Sequence, residues 1–166
     1  MKRLFALMLV PILLCGCSAK QVYEPVVDVY APVLPEPGKL QVVIPEAASI
    51  LTGAGENNGA LYFCDGYTMT VQSLAGGDLN RSLQTLTGYS RDGLTVVQTQ
   101  RESTPCYACA WTCAGEGGDQ VGRLVLLDDG AYHYAVTVMA PAAEAGDLSE
   151  IWDDILNGVT LCSTDS

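Results

Sequence analysis

The chain has 166 residues, 49% of them hydrophobic and 16% charged, with a formal charge of -11. That length leaves room for one domain once the ends are set aside, and the apolar share is that of a globular chain rather than a disordered one. With Lys2 and Arg3 in a segment expected to be removed, six basic residues face 19 acidic ones, a formal -13; so acidic a body is repelled by nucleic-acid phosphates and by anionic lipid headgroups, which sets nucleic acid aside as a partner.

In chain order, Lys2 and Arg3 form a positive start, and Leu4 to Leu14 is an apolar run too short to span a bilayer as a helix. Leu14-Cys15-Gly16-Cys17 follows at once. This stretch resembles the lipobox of bacterial lipoproteins, an aliphatic residue and two small ones before the modified cysteine. The resemblance implies cleavage after Gly16, with residues 1–16 as signal peptide, and a diacylglycerol thioether on Cys17. Acyl chains such as palmitate contribute about 0.8 kcal/mol per buried methylene and hold a protein on a membrane without a spanning helix. The expected location is the cell membrane or outer membrane, outside the cytoplasm. The competing reading is an ordinary secretory signal cleaved near Ala19.

Residues 17–39 read as a tether, with Pro25, Pro32, Pro35 and Pro37 favouring extended polyproline II over a packed helix. Fully extended, it reaches on the order of 60 Å. The alternative is that Val26 to Tyr30 adds an edge strand to the domain.

Residues 40–162 carry the pattern of a folded domain, and 163–166 read as a disordered tail. Leu40 to Ile44, ended by Pro45, predicts a first strand. Leu61–Cys64 and Tyr67–Val71 flank Asp65-Gly66, a type I′ hairpin signal. Asp78 caps a helix with Leu79, Leu83 and Leu86 on one face, and Gly88 suits its end. Strands are expected at Leu94–Gln100, Tyr107–Ala114, Val121–Asp128 and Ala131–Ala140, the last two joined by Asp129-Gly130. Leu124–Leu127 is apolar without alternation, as in a central strand covered on both faces. Asp147-Leu-Ser-Glu150 reads as a capping box opening a helix with Leu148, Ile151, Trp152 and Ile155 on one face. Gly158 stops it, and Val159–Leu161 returns to the core. The predicted class is α+β, a single antiparallel sheet with helices on its faces.

The order of these elements is similar to the Mog1/PsbP-like α/β/α sandwich. The residues that carry the likeness are Tyr132-His-Tyr-Ala-Val-Thr-Val138, the Ala140-Pro141 turn, the acidic helix and Ile155-Leu-Asn-Gly-Val-Thr-Leu161. The resemblance implies a non-catalytic fold that binds other proteins or supports an assembly. It supplies no catalytic motif.

Candidate chemistry rests on Cys64, Cys106, Cys109, Cys113 and Cys162. In an exported protein, disulfides are the first reading, with Cys64 to the Cys106–Cys113 strand the first pairing to look for. Cys106-x2-Cys109-x3-Cys113 also has the look of a zinc or thiol-redox module. On a strand, however, Cys109 and Cys113 share a face with Tyr107 and Trp111 while Cys106 faces away, so three thiolates do not converge. The single histidine, His133, lies mid-strand with no nucleophile-elbow sequence, against a Ser-His-Asp centre. Asp128-Asp129 is explained by a turn, and Asp147, Glu150, Asp153 and Asp154 by a solvated helix face. The expectation is therefore a lipid-anchored envelope binding or scaffolding domain, not an enzyme, with no cofactor and no metal. It touches the membrane through Cys17, and its protein partner is unknown.

Overall fold

The computed structural model describes residues 35–51 and 59–162. The expected signal peptide (1–16), Cys17, the Val26–Tyr30 alternative, most of the expected tether and the expected tail (163–166) lie outside these residues.

Seven strands form one antiparallel sheet, in the order β2 (Ser49–Leu51), β3 (Gly59–Phe63), β4 (Thr68–Ala75), β8 (Tyr132–Pro141), β7 (Gly118–Asp128), β6 (Thr104–Gly115) and β5 (Val97–Arg101). Helix α1 (Leu79–Thr87) packs on one face and α2 (Ser149–Asn157) on the other. The class is α+β, a sandwich of sheet between helices. β7 and β8 sit in the middle, and Leu124, Val125, Leu126 and Leu127 are all buried. Successive side chains alternate between the faces: Val125 and Leu127 join the α2-side core, Leu124 the α1-side core.

Helix α1 begins as its sequence dictates. Asp78 is the N-cap, its carboxylate accepting from Arg81 N at 3.2 Å, and the helix ends at Gly88 in the left-handed region. Leu83 is fully buried and Leu79 and Leu86 pack beside it.

Three local features differ from the sequence reading. The first strand shrinks to β1 (Leu40–Gln41), which pairs only with β9 (Thr160–Leu161) in a separate two-stranded ladder. Leu40 and Val42 turn inward, but β9 is too short to pair further, so Val43 and Ile44 stay exposed. The capping box does not form. The chain from Pro141 already coils in turns, with Asp147 N donating to Glu144 O and Trp152 N to Leu148 O, so carbonyls serve the first helical amides. Leu148 takes the N-cap in helical conformation without a side-chain bond. Ile151 is 47% exposed and Leu156 takes its place in the core beside Trp152 and Ile155.

Both hairpin turns also shift. Of the turn residues Asp65 and Gly66 only the glycine has positive φ, 79°, whereas a type I′ turn needs it at both positions. At the other hairpin Asp129 N donates to Tyr132 O, so the loop turns through Gly130-Ala131 rather than Asp129-Gly130, with Gly130 at φ 89°.

Candidate functional site

The densest polar constellation lies where the β7–β8 hairpin meets α1. His133 sits on β8 opposite Asp128 of β7, and alternation turns both toward the α1 side. Ser82 lies in α1's stripe between Leu79 and Leu83, so the helix presents its hydroxyl to the imidazole. Ser82 Oγ and His133 Nδ1 are 2.7 Å apart, and His133 Nε2 lies 3.5 Å from Asp128 Oδ2. A carboxylate at Nε2 favours the proton there, which leaves Nδ1 to accept from the serine hydroxyl.

These are the residue types of a hydrolytic triad, brought together against expectation from the sequence. Their accessibility is inverted. Ser82 and His133 are buried, and only Asp128 reaches solvent, beside a cleft of about 400 Å³ lined by Ser103, Thr104, Pro105 and the hairpin. A nucleophile must meet its substrate, whereas here the hydroxyl lies innermost. The arrangement joins α1 to the hairpin.

On the opposite face the same hairpin holds the segment around Pro35 and Gly38. Tyr132 Oη donates to Pro35 O at 2.6 Å, and Gly38 N donates to Tyr134 Oη at 2.7 Å. Tyr134 Oη in turn donates to Asp129 Oδ2 at 2.7 Å, while Asp129 Oδ1 accepts from Ala131 N and Tyr132 N. Burial alone would raise the Asp129 pKa, but these donors outweigh it and hold the carboxyl below its usual range. Burial, aided by the bond to Asp129, pushes the Tyr134 phenol up to about 12. Every Asp129 oxygen is thus engaged by the turn and its tyrosine, as the turn reading required.

The cysteines do not assemble. All five of Cys64, Cys106, Cys109, Cys113 and Cys162 are free thiols in this structure, and its geometry overturns the first pairing expected, Cys64 to the Cys106–Cys113 strand. Cys64 follows β3, and β4, β8 and β7 lie between it and β6. Four strand spacings amount to about 19 Å, far beyond the Cα separation of about 4.4–6.8 Å that a disulfide spans. Cys106 joins the α2-side core, while Cys109 and Cys113 join the α1 side. Burial pushes Cys109 up to about 11; it also raises Cys64, against a bond from Tyr67. Little of either thiol is thiolate at neutral pH, which disfavours redox chemistry. Among the described residues no three His, Cys, Asp or Glu side chains converge as a metal site. The acidic helix face stays exposed, with Asp153 paired to Arg123.

No protein-family model and no curated protein matches the chain. Solved structures do. A Bacteroides thetaiotaomicron VPI-5482 protein superposes with a TM-score of 0.53 at 10% identity, covering 76% of this chain; this chain spans 46% of that protein's length. The cyanobacterial PsbP (CyanoP) of Synechocystis sp. PCC 6803 gives 0.56 at 8% identity, covering 74% of this chain and 86% of its own. The Ran-binding protein Mog1p of Saccharomyces cerevisiae gives 0.48 at 13% identity, covering 74% and 89%. At such identities the likeness is one of fold alone, and the CyanoP superposition carries it: the domain has the fold of a PsbP-like α+β sandwich.

Proposed function

We propose that this chain is a non-catalytic binding domain displayed on a bacterial cell envelope by lipid on Cys17. The observation that carries the non-catalytic part is the inverted burial of Ser82, His133 and Asp128. The one histidine faces a hydroxyl that no substrate reaches, and it therefore serves cohesion between α1 and the sheet. The anchor rests on Leu14-Cys15-Gly16-Cys17 behind a short apolar run. No helix among the described residues is long and apolar enough to cross a membrane. The docking of Pro35 and Gly38 on the tyrosines supports a tether that leaves the domain from one fixed place.

Metabolic labelling with a fatty acid tests this reading. The expected result is label on the wild-type chain in the membrane fraction, and for Cys17→Ser no label with either release or an unprocessed precursor. Labelling that survives Cys17→Ser removes the anchor from the proposal.

A further inference from the structure

Seven strands at about 4.8 Å spacing make a sheet roughly 29 Å across, and a helix is only about 10 Å wide. Helix α2 seats Trp152, Ile155 and Leu156 toward the middle of its face, and the strip over β5, β6 and β7 is left as a groove of about 470 Å³. Its floor alternates out of the three strands: Val97 stands beside Ala108 and Val125, Thr99 beside Cys106, and Ala110 beside Arg123. The methyl-sized side chains make the floor concave, and Val97 is 55% exposed on it. From Arg101, opposite Thr104, to Ala110 the groove runs six residues of β6, about 20 Å.

Two of the four arginines in residues 40–162 line this groove. Arg123 is paired with Asp153. Arg101 is held differently: its Nη1 donates to Leu156 O and Val159 O, both at 2.7 Å, at the end of α2. Among the described residues no carboxylate lies within salt-bridge distance of it. In so acidic a chain, a half-buried guanidinium fixed by neutral carbonyls at the end of an apolar channel is complementary to an anion. The volume falls in the range of small-ligand sites.

We propose that this groove binds a single-chain fatty carboxylate, its head on Arg101 and its tail along Val97, Ala108 and Ala110. The head takes the guanidinium nitrogens that the helix carbonyls leave free, and the tail covers apolar surface that α2 does not reach.

Titration of the full chain carrying Cys17→Ser with sodium dodecanoate below its micelle concentration tests the site, read by calorimetry and by alanine-methyl NMR shifts. The expected result is one saturable site whose shifts centre on Ala108 and Ala110, with dodecanol bound at least tenfold more weakly. Val97→Glu and Ala110→Trp alter exposed positions, so each should keep the wild-type melting temperature and weaken dodecanoate at least tenfold. Absence of saturable binding overturns the proposal, as does binding that neither variant changes. Equal affinity for dodecanol overturns the role of Arg101. The outcome is independent of whether Cys17 carries lipid in the cell.

Discussion

Asp129 shows how a turn residue comes to carry pH dependence. Its carboxylate accepts from two backbone amides and the Tyr134 hydroxyl, and its pKa is depressed. A depressed carboxyl contributes stability that is present above its unfolded value of about 3.9 and is lost as pH falls through the folded value. Asp129→Asn should therefore lower the melting temperature at pH 7, and the gap to wild type should close below about pH 4. Parallel curves down to pH 2 would deny the carboxylate this role. Tyr134 works in the opposite sense. Raised to about 12, it gives stability that is full below about pH 10 and is lost through pH 12. Ser82→Ala presents a different case, because it leaves the buried His133 Nδ1 without its partner. The expected cost is about 1–3 kcal/mol in chemical denaturation, whereas a surface serine would change stability by less than about 0.5 kcal/mol. Ser82 was legible only in outline: a polar residue in the Leu79–Leu83–Leu86 stripe signals a buried partner but does not name it.

Among the elements, α2 gives the sharpest contrast between pattern and packing. Trp152 is 1% exposed and meets the edge of Tyr67 with ring centroids 6.2 Å apart. Trp152→Ala should cost about 3–5 kcal/mol, whereas Ile151→Ser should stay within about 0.5 kcal/mol; urea melts of the two variants check both. A loss at Ile151 comparable to that at Trp152 would mean that the helix is rotated from the geometry described. Periodicity placed Ile151 inside because positions i and i+4 share a stripe, but a nine-residue helix on a broad sheet buries a narrow one. The long central strands were readable because Leu124 to Leu127 leave no face polar and Ala135 to Ala140 are interrupted only by Thr137. The faces of β6 were readable too, since strict alternation separates Cys106 from Cys109 and Cys113. Strand order was not: nothing in the local pattern says that β3 and β6 lie at opposite sides of the β4–β8–β7 centre, and the Cys64 pairing failed on that alone.

At the scale of the whole domain, the two ends of the described chain run together. Cys162 N donates to Lys39 O, continuing the β1–β9 ladder, and just upstream Pro35 and Gly38 are bound by Tyr132 and Tyr134. The proline content of residues 17–39 made the whole stretch read as tether, with the fold beginning at Leu40. The docking contacts place the start of the packed chain at Pro35, and proline-rich backbone loses little entropy when it docks. A chain beginning at Pro35 should therefore be more stable than one beginning at Leu40. Two tyrosine hydrogen bonds at about 1 kcal/mol each correspond to a melting temperature higher by several degrees. Calorimetry of the two truncated chains, with Tyr132→Phe in the longer one, checks this. The expected order is the Pro35 chain highest, its Tyr132→Phe variant between, and the Leu40 chain lowest. Equal melting temperatures for all three would return Pro35–Gly38 to the tether, since contacts that hold part of a fold must be missed when they are removed.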